Sequence, residues 1–168
     1  MQLILRPFGP ADEAPALAAE VEFEGTGFNF LPFDFDPRMP WAEWIALMER
    51  YRQGVDLPEN RTRAAFLAAD VDGRLVGRAS IRFELNDFLV FRGGHVGYDV
   101  IPAFRRRGYA TAILRESIVI ARNEGVTTAL VTCDDCNIGS AKVIERCGGV
   151  LENIAFDEEG VTFRRYWI

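Results

Sequence analysis

The sequence predicts an α/β (α+β) protein whose mixed sheet is covered by helices on both faces. Two strand-like apolar runs flank Asp72-Gly73, a dipeptide typical of tight hairpin turns. A strand, helix, strand, helix succession follows them, and then a second strand pair. Antiparallel pairs combined with such a succession indicate a mixed sheet with helices packed on each side.

The first half is assigned from its hydrophobic periodicity and its turn residues. A helix is predicted wherever apolar residues recur three and four positions apart, and Gly54 marks the end of one such helix. The predicted elements are a strand over 2–8, a helix over 10–24, an irregular segment over 25–40 that is rich in aromatic and acidic residues, a helix over 41–53, and strands over 65–69 and 75–83.

The second half alternates strands and helices, again separated by glycine and proline. Pro102 stops one strand, because proline removes a backbone donor, and Gly125 stops one helix. The predicted elements are a strand over 95–101, a helix from 108 to 124, a strand over 127–133, a helix from Asn137 or Ser140 to Gly148, and strands over 150–156 and 161–167.

Composition limits the classes of function. The chain has 168 residues, 49% of them hydrophobic, and 25 acidic against 19 basic side chains for a net charge of -6. We expect one domain over 1–168. The acidic balance argues against nucleic acid as a partner and favours a cationic or amine partner. No apolar run is long enough for a membrane span and no secretory pattern opens the sequence, so we expect no membrane partner and a cytoplasmic location.

Three cysteines raise the question of metal or redox chemistry. Cys133 and Cys136 form a C-x-x-C pattern, but the only further soft ligands are Cys147 and the distant His95. Cys133 ends a strand-like run, whereas a redox cysteine usually begins a helix. The sequence therefore favours small core or loop cysteines and no metal, and a zinc or redox protein is a remote alternative.

The stretch from Asp99 to Thr111 is the most informative part of the sequence. A strand ends there, three arginines follow, and a helix begins with small residues in its first turn. Backbone N–H groups at a helix N-terminus bind anions, and arginines add donors suited to phosphate. The pattern predicts a pyrophosphate site, although the arginines alone are equally compatible with a solvated basic turn.

Within this stretch, an R-x-x-G-x-A pattern at Arg105, Gly108 and Ala110 follows a V-x-P strand end. This arrangement resembles the acetyl-coenzyme A motif of the Gcn5-related N-acetyltransferase (GNAT) family, and 95–102 is similar to the family's E-I-G-Y-x-x-x-P strand. Asn137 is similar to the asparagine that opens the family's last helix. The resemblance covers roughly 67–149. It implies a GNAT-like, mostly antiparallel sheet of six to seven strands, acetyl-CoA as cosubstrate, and homodimers among its partners.

The resemblance also implies where the cosubstrate binds. The backbone of Val100 and Ile101 would pair with the pantetheine arm, and Asn137 and Ser140 would contact the same arm. Asn137 also suits a helix cap, and the two roles are compatible. The residues implied for the pyrophosphate are Arg105, Arg106, Arg107, Gly108, Tyr109, Ala110 and Thr111.

Acetyl transfer to an amine needs a base, because a primary amine is protonated at neutral pH. His95 stands where many family members have a glutamate, and Glu84 at the end of the preceding strand is the rival candidate. A structural histidine is the alternative interpretation of His95. The tyrosine acid of many members is replaced by Ile144, so water or Ser140 is left to protonate the thiolate.

The irregular segment is the candidate acceptor site. Phe28, Phe30 and Asp34 would give an ammonium group aromatic walls and a carboxylate, unless these phenylalanines only close the open side of the sheet. The resulting hypothesis is acetyl transfer from acetyl-CoA to the primary amine of a small molecule by direct attack in a ternary complex. The alternatives are protein or peptide N-terminal acetylation and a non-catalytic acyl-CoA-binding sensor.

Overall fold

A computed structural model describes residues 3–31 and 35–168. Seven strands and five α-helices form this described part, together with short 3-10 turns before α1 and after β4. In chain order they are β1 (Leu3–Pro7), α1 (Glu13–Phe23), α2 (Trp41–Gln53), β2 (Ala64–Val71), β3 (Arg74–Arg82), α3 (Asp87–Phe91), β4 (Val96–Val100), α4 (Tyr109–Asn123), β5 (Leu130–Asp134), α5 (Ile138–Arg146), β6 (Val150–Phe156) and β7 (Thr162–Trp167).

The strands form two antiparallel sheets. The larger has the order β1-β2-β3-β4 and the smaller the order β5-β7-β6. The hairpin between β2 and β3 turns at Asp72 and Gly73, which have φ angles of 52° and 79°. Two successive positive φ angles match the twist of the flanking strands, which confirms the hairpin predicted there.

Helices cover both faces of the larger sheet, and the alternation of side chains along β2 separates two cores. Ala65, Leu67 and Ala69 point into the first core, where they pack with α4 and α5. Phe66 and Ala68 point into the second core, which contains α1 and α2 and the stacked rings of Phe8 and Phe66. The predicted fold class, a mixed α/β protein with helices on both faces, is confirmed.

The two sheets meet at one point and then part. Within the described residues, the ladder contact between them is the bridge of Gly94 to Val131, beside which the N–H of His95 donates to the carbonyl of Leu130 at 2.7 Å. Beyond this point β4 pairs only with β3, and β5 pairs only with β7. The space between the unpaired edges of Val96–Val100 and Leu130–Asp134 is called the β4/β5 gap below.

Some elements differ from the sequence prediction. The prediction omits α3, although Asn86 caps it by accepting the N–H of Leu89 at 2.9 Å. Most strand and helix ends lie within a few residues of the predicted ones, and α2 and β6 match their predicted bounds. Within 3–31 and 35–168, no helix combines the length and apolar character that crossing a membrane requires.

Candidate active site

The register of β4 determines which main-chain groups face the β4/β5 gap. The N–H of Arg82 donates to the carbonyl of His95, and the N–H of Ile101 donates to the carbonyl of Val76. In an antiparallel pair the hydrogen-bonded residues alternate, so the carbonyl of His95 and the main chain of residues 97, 99 and 101 face β3. The main chain of residues 96, 98 and 100 therefore faces the gap.

Tyr98 and Val100 consequently present an unpaired strand edge. The carbonyl of Val100 accepts a hydrogen bond from Nε of Arg105 at 3.0 Å, which leaves its N–H toward the gap. The N–H of Ile101, in contrast, is committed to Val76, and its side chain is buried in the second core. An extended ligand with amide groups can add to such an edge as an extra strand would.

The N-terminus of α4 lies just beyond this edge. Gly108 is the N-cap with a φ of 83°, and no side chain caps the helix. The first bond to the cap runs from the N–H of Ala112 to the carbonyl of Gly108 at 3.2 Å, so the N–H groups of Tyr109, Ala110 and Thr111 have no intrahelical acceptor. Together with the helix dipole, these donors form an anion site.

The arginines before α4 affect this site through the backbone conformation of the turn and through their contacts with neighbouring residues. Arg106 has a φ of 64°, a left-handed conformation that costs a non-glycine residue about 1 kcal/mol. Arg105 stacks over Phe23 at 5.5 Å, and Arg107 donates to the carbonyl of Ala103 at 3.3 Å. Arg106 and Gly108 thus both have left-handed backbone conformations, which occur in the main-chain nests that bind anions.

His95 lies where the two sheets part, and its ring joins them. It is 9% exposed, and its Nδ1 accepts the N–H of Leu130 at 2.9 Å. The main-chain N–H of His95 in turn donates to the carbonyl of Leu130. The imidazole thus makes the last hydrogen bond between the two sheets before the β4/β5 gap.

This hydrogen bond has a consequence for proton transfer. Burial lowers the pKa of His95 below its usual value, and the positive charge of Arg82 lowers it further. The neutral ring accepts at Nδ1 and therefore carries its proton on Nε2. Its single lone pair is occupied by the amide of Leu130. Glu84, the other candidate base, is exposed and follows Arg82 by two residues.

On the other side of the gap, Tyr98 and Ser140 join β4 to α5. The Tyr98 hydroxyl lies 2.7 Å from Oγ of Ser140. Burial raises the pKa of Tyr98, so the phenol keeps its proton at neutral pH. Burial also raises the pKa of Cys133 to about 11, and its thiol is hydrogen-bonded to the same Ser140. Tyr98 was not among the predicted catalytic residues, because its position between Gly97 and Asp99 places it on the opposite face of β4 from them.

The start of α5 combines two of the predicted residues. The side chain of Asn137 accepts the N–H of Ser140 at 3.0 Å, so its predicted role as a helix cap is confirmed. Ile144, which stands where the resemblance implies a tyrosine, is fully buried in the first core. The hydroxyl groups at this end of the gap therefore come from Tyr98 and Ser140.

The face of β3 and β4 opposite to Tyr98 carries a polar cluster that the sequence analysis missed. We call it the arginine face, and it consists of Arg78, Ser80, Arg82, Gly97 and Asp99. Arg78 forms an ion pair with Asp99 and is 7% exposed. Burial lowers the pKa of Arg82 to about 10, and repulsion from Arg78 contributes to this shift. The signal was present in the sequence, because Arg78, Ser80 and Arg82 occupy alternate positions of one strand.

The predicted acceptor residues are not all found in one place. Phe28 is exposed, whereas Phe30 is fully buried and packs on Phe23 with ring centroids 5.6 Å apart. Asp34 lies outside the described residues. The carbonyl of Asn29, between the two phenylalanines, accepts a hydrogen bond from Arg78 at 3.1 Å. The main chain at Asn29 therefore contacts the arginine face, and Phe30 is a residue of the second core.

The cysteines show no arrangement typical of metal or disulfide chemistry. Cys133, Cys136 and Cys147 are free thiols. In the part of the chain that the structure describes, no group of three or more His, Cys, Asp and Glu side chains could hold a metal ion.

Comparisons with known proteins give a consistent result. The model of the Acetyltransferase (GNAT) family matches residues 29–149. A sequence comparison with curated proteins found no match. Among solved structures, a ribosomal-protein-alanine N-acetyltransferase from Brucella melitensis has a TM-score of 0.69 at 20% identity, covering 98% of this chain and 98% of that one.

Two further similar structures differ in their acceptors or ligands. The microcin C7 self-immunity acetyltransferase MccE, in complex with acetyl-CoA and AMP, has a TM-score of 0.67 at 18% identity, covering 99% of this chain and 92% of that one. A chimera of spermidine N-acetyltransferase SpeG from Vibrio cholerae and hSSAT has a TM-score of 0.66 at 15% identity, covering 100% of this chain and 95% of that one. At these identities the likeness concerns the fold.

Proposed function

Since the chain belongs to the GNAT family of acetyltransferases, we propose that it transfers the acetyl group of acetyl-CoA to a primary amine of a small molecule. The protein is an enzyme, and acetyl-CoA is its cosubstrate. One observation carries the proposal: the unpaired edge of β4 ends beside the uncapped N-terminus of α4. An amide-bearing arm and a pyrophosphate would fit these two features side by side.

The residues around the gap fit acetyl-CoA as a ligand. Tyr98 and Val100 would bond the pantetheine amides and the thioester carbonyl through their main chain. The main-chain donors of 108–111, with Arg105, Arg106 and Arg107 beside them, would hold the pyrophosphate. Asn137 and Ser140 would contact the arm from α5, whereas the predicted pairing of the Ile101 backbone with the arm is wrong, because its N–H is bonded to Val76.

Direct attack in a ternary complex requires the acceptor amine to lose a proton. The nitrogen lone pair forms the new N–C bond, the C–S bond breaks, and the thiolate leaves. For the base, the proposal favours Glu84 over His95, because His95 has its lone pair on the Leu130 amide and Glu84 is exposed. A water molecule would connect Glu84 to the amine.

For the leaving thiolate, we propose Ser140 as the proton donor, with Tyr98 as its hydrogen-bond partner. The short Tyr98–Ser140 contact supports this assignment. Tyr98→Phe should lower the single-turnover rate about 100-fold, within the usual range for general acid catalysis. An unchanged single-turnover rate in this variant would remove Tyr98 from the mechanism.

The choice between acceptors rests on how the site is covered. We propose that the residues around Asn29, whose carbonyl accepts a hydrogen bond from Arg78, limit access to the arginine face. A site with limited access favours a small molecule over a protein N-terminus, which would need an open groove. We further propose that residues 1–168 form one acetyltransferase domain, because both cores share the central strands β2 and β3.

The proposal also covers the location, the partners and the oligomeric state of the enzyme. We propose a cytoplasmic enzyme without nucleic-acid or membrane partners, in line with its net charge of -6. We also propose a homodimer, because the outer strand β6 exposes apolar side chains such as Phe156 and Val150. Light scattering of the purified chain measures the mass that tests the dimer.

The release of free CoA thiol tests the proposed activity. The enzyme is incubated with acetyl-CoA and a panel of small amines, amino acids and peptides with free N-termini, and the thiol is quantified. Release with small amines or amino acids supports the proposal, and release with peptides alone favours N-terminal acetylation. Tight binding of acetyl-CoA without release across the panel would instead indicate an acyl-CoA sensor.

A further inference from the structure

We propose that the acceptor carries a carboxylate next to its amine, as an amino acid does, and that Arg78 and Arg82 hold this carboxylate over Gly97. The inference rests on the proposed function, since it names the substrate class of the same site. It replaces the expectation of a pocket lined by acidic residues with one in which the arginine face binds an anion.

Two guanidinium groups lie beside Gly97. A Cβ atom built on Gly97 would lie 3.6 Å from Nη1 of Arg82 and 3.7 Å from Nη1 of Arg78, and nothing else is closer. The place that a side chain would take at Gly97, called the open point below, is therefore flanked by two guanidinium groups at ordinary van der Waals distance, and Nη1 of Arg82 also donates to the carbonyls of Gly93 and Gly94 at 3.3 Å. A carboxylate has two oxygens about 2.2 Å apart, so it can accept a hydrogen bond from each side.

Two buried polar atoms of the arginine face have no hydrogen-bond partner among the described residues. Nε of Arg78 and Oγ of Ser80 are both buried and make no hydrogen bond. Ser80 pairs with Gly97 in the register of β3 and β4, so its side chain lies beside the open point. A buried polar group without a partner is unfavourable by about 1–3 kcal/mol, and a bound ligand oxygen would relieve this.

The charges of the side chains near Gly97 also favour an anion. Arg78 and Arg82 lie on the same face of β3, and repulsion between them contributes to the lowered pKa of Arg82. Arg61 adds to that repulsion. Asp99 pairs with Arg78 through Nη2, which leaves Nη1 on the side of Gly97. An anion between the two guanidinium groups is thus favoured over an ammonium group.

The position also suits the reaction. Gly97 precedes Tyr98, whose main chain faces the β4/β5 gap where the thioester would lie. A carboxylate over Gly97 would therefore bring a nitrogen on the neighbouring carbon close to the gap. An α-amino acid or another amine with a nearby carboxylate meets this requirement, whereas a polyamine lacks the anion.

The test compares amines that differ only in the carboxylate. Each amino acid of a panel is assayed beside its carboxamide and its decarboxylated amine by CoA thiol release. We expect kcat/KM to be about 10- to 100-fold higher for the amino acid, which corresponds to losing charge-assisted hydrogen bonds in the analogues. Equal kcat/KM values within each set would overturn the inference and leave the proposed activity standing.

Gly97→Ala is the matched variant, since its methyl group would fill the open point without touching anything nearer than 3.6 Å. We expect it to keep its thermal midpoint and its affinity for acetyl-CoA and to lose at least tenfold in kcat/KM for amino acids. Gly9→Ala, whose methyl group would meet nothing nearer than 3.8 Å, controls for a glycine substitution away from the arginine face. Unchanged kinetics in Gly97→Ala would contradict the inference.

A binding measurement separates the inference from the proposed function. An N-acetyl amino acid and its amide are titrated calorimetrically into the wild-type chain and Gly97→Ala in the presence of CoA. Preferential binding of the acid, lost in Gly97→Ala, supports the anion site even if no acceptor gives thiol release. Absence of this preference overturns the anion site whether or not the chain turns over.

Discussion

Replacing His95 separates a positioning role from a catalytic one. In His95→Phe the ring shape is kept, but the N–H of Leu130 loses its acceptor at 2.9 Å. In His95→Asn the side-chain oxygen can take the place of Nδ1, because both atoms stand at the same distance along their side chains. Neither variant has a group that accepts a proton at neutral pH.

The structure gives the size of the effect on stability. Leu130 is fully buried, so an unpaired N–H there should lower the free energy of unfolding by about 1–3 kcal/mol in His95→Phe. His95→Asn should recover most of this loss. Because burial lowers the pKa of His95, the unfolded chain binds the proton first, and the wild type should lose stability as pH falls below about 6.5. His95→Asn should lack this component.

Urea unfolding at several pH values and steady-state thiol release measure both roles on the same preparations. A positioning residue predicts that His95→Asn keeps kcat within a few fold and that His95→Phe weakens acetyl-CoA binding. A base predicts that both variants lose about 100- to 10,000-fold in kcat while His95→Asn stays stable. The second pattern would refute the assignment of His95 to the junction of the sheets.

Four further variants at three positions test other contacts of the fold. Asn137→Ala should lower the free energy of unfolding by about 1 kcal/mol in urea titrations, because the cap on Ser140 is lost, and Asn137→Ser should restore most of it. Arg6→Met should destabilise by about 3 kcal/mol, because the carboxylates of Asp12 and Asp70 lose their shared partner. Since Arg6 lowers the pKa of Asp12, this difference should shrink as pH falls below about 3.8, and an unchanged difference at pH 3 would contradict the ion-pair explanation. Gly77→Ala should lower the thermal midpoint where Gly97→Ala does not, since its Cβ would lie 2.4 Å from the carbonyl of Asp99, and equal midpoints would contradict the close strand approach.

Local patterns were sufficient to predict most elements of the fold. Trp41–Gln53 has a broad apolar stripe and a glycine stop, and the helix has those bounds. Asp72-Gly73 is a turn whose backbone conformation depends on those two residues, so the hairpin was also predictable. Only α3 was missed, since it is five residues long and has too few apolar positions to show a period.

The candidate site was predictable where it depends on the main chain of one segment. The turn before α4 is continuous in sequence, so its glycine and its uncapped helix start could be recognised. The arginine face depends on the register of β3 against β4, which pairs Ser80 with Gly97 across 17 positions of sequence. The lone pair of His95 is occupied by Leu130, which is 35 positions away. Such contacts need the folded chain.

Amide hydrogen exchange with and without acetyl-CoA tests whether the cosubstrate binds in the β4/β5 gap. We expect saturating acetyl-CoA to slow exchange at Tyr98 and Val100 on the gap edge of β4 and at Tyr109, Ala110 and Thr111 at the start of α4. Bound acetyl-CoA that leaves exchange at both segments unchanged would contradict the placement of the cosubstrate in the β4/β5 gap.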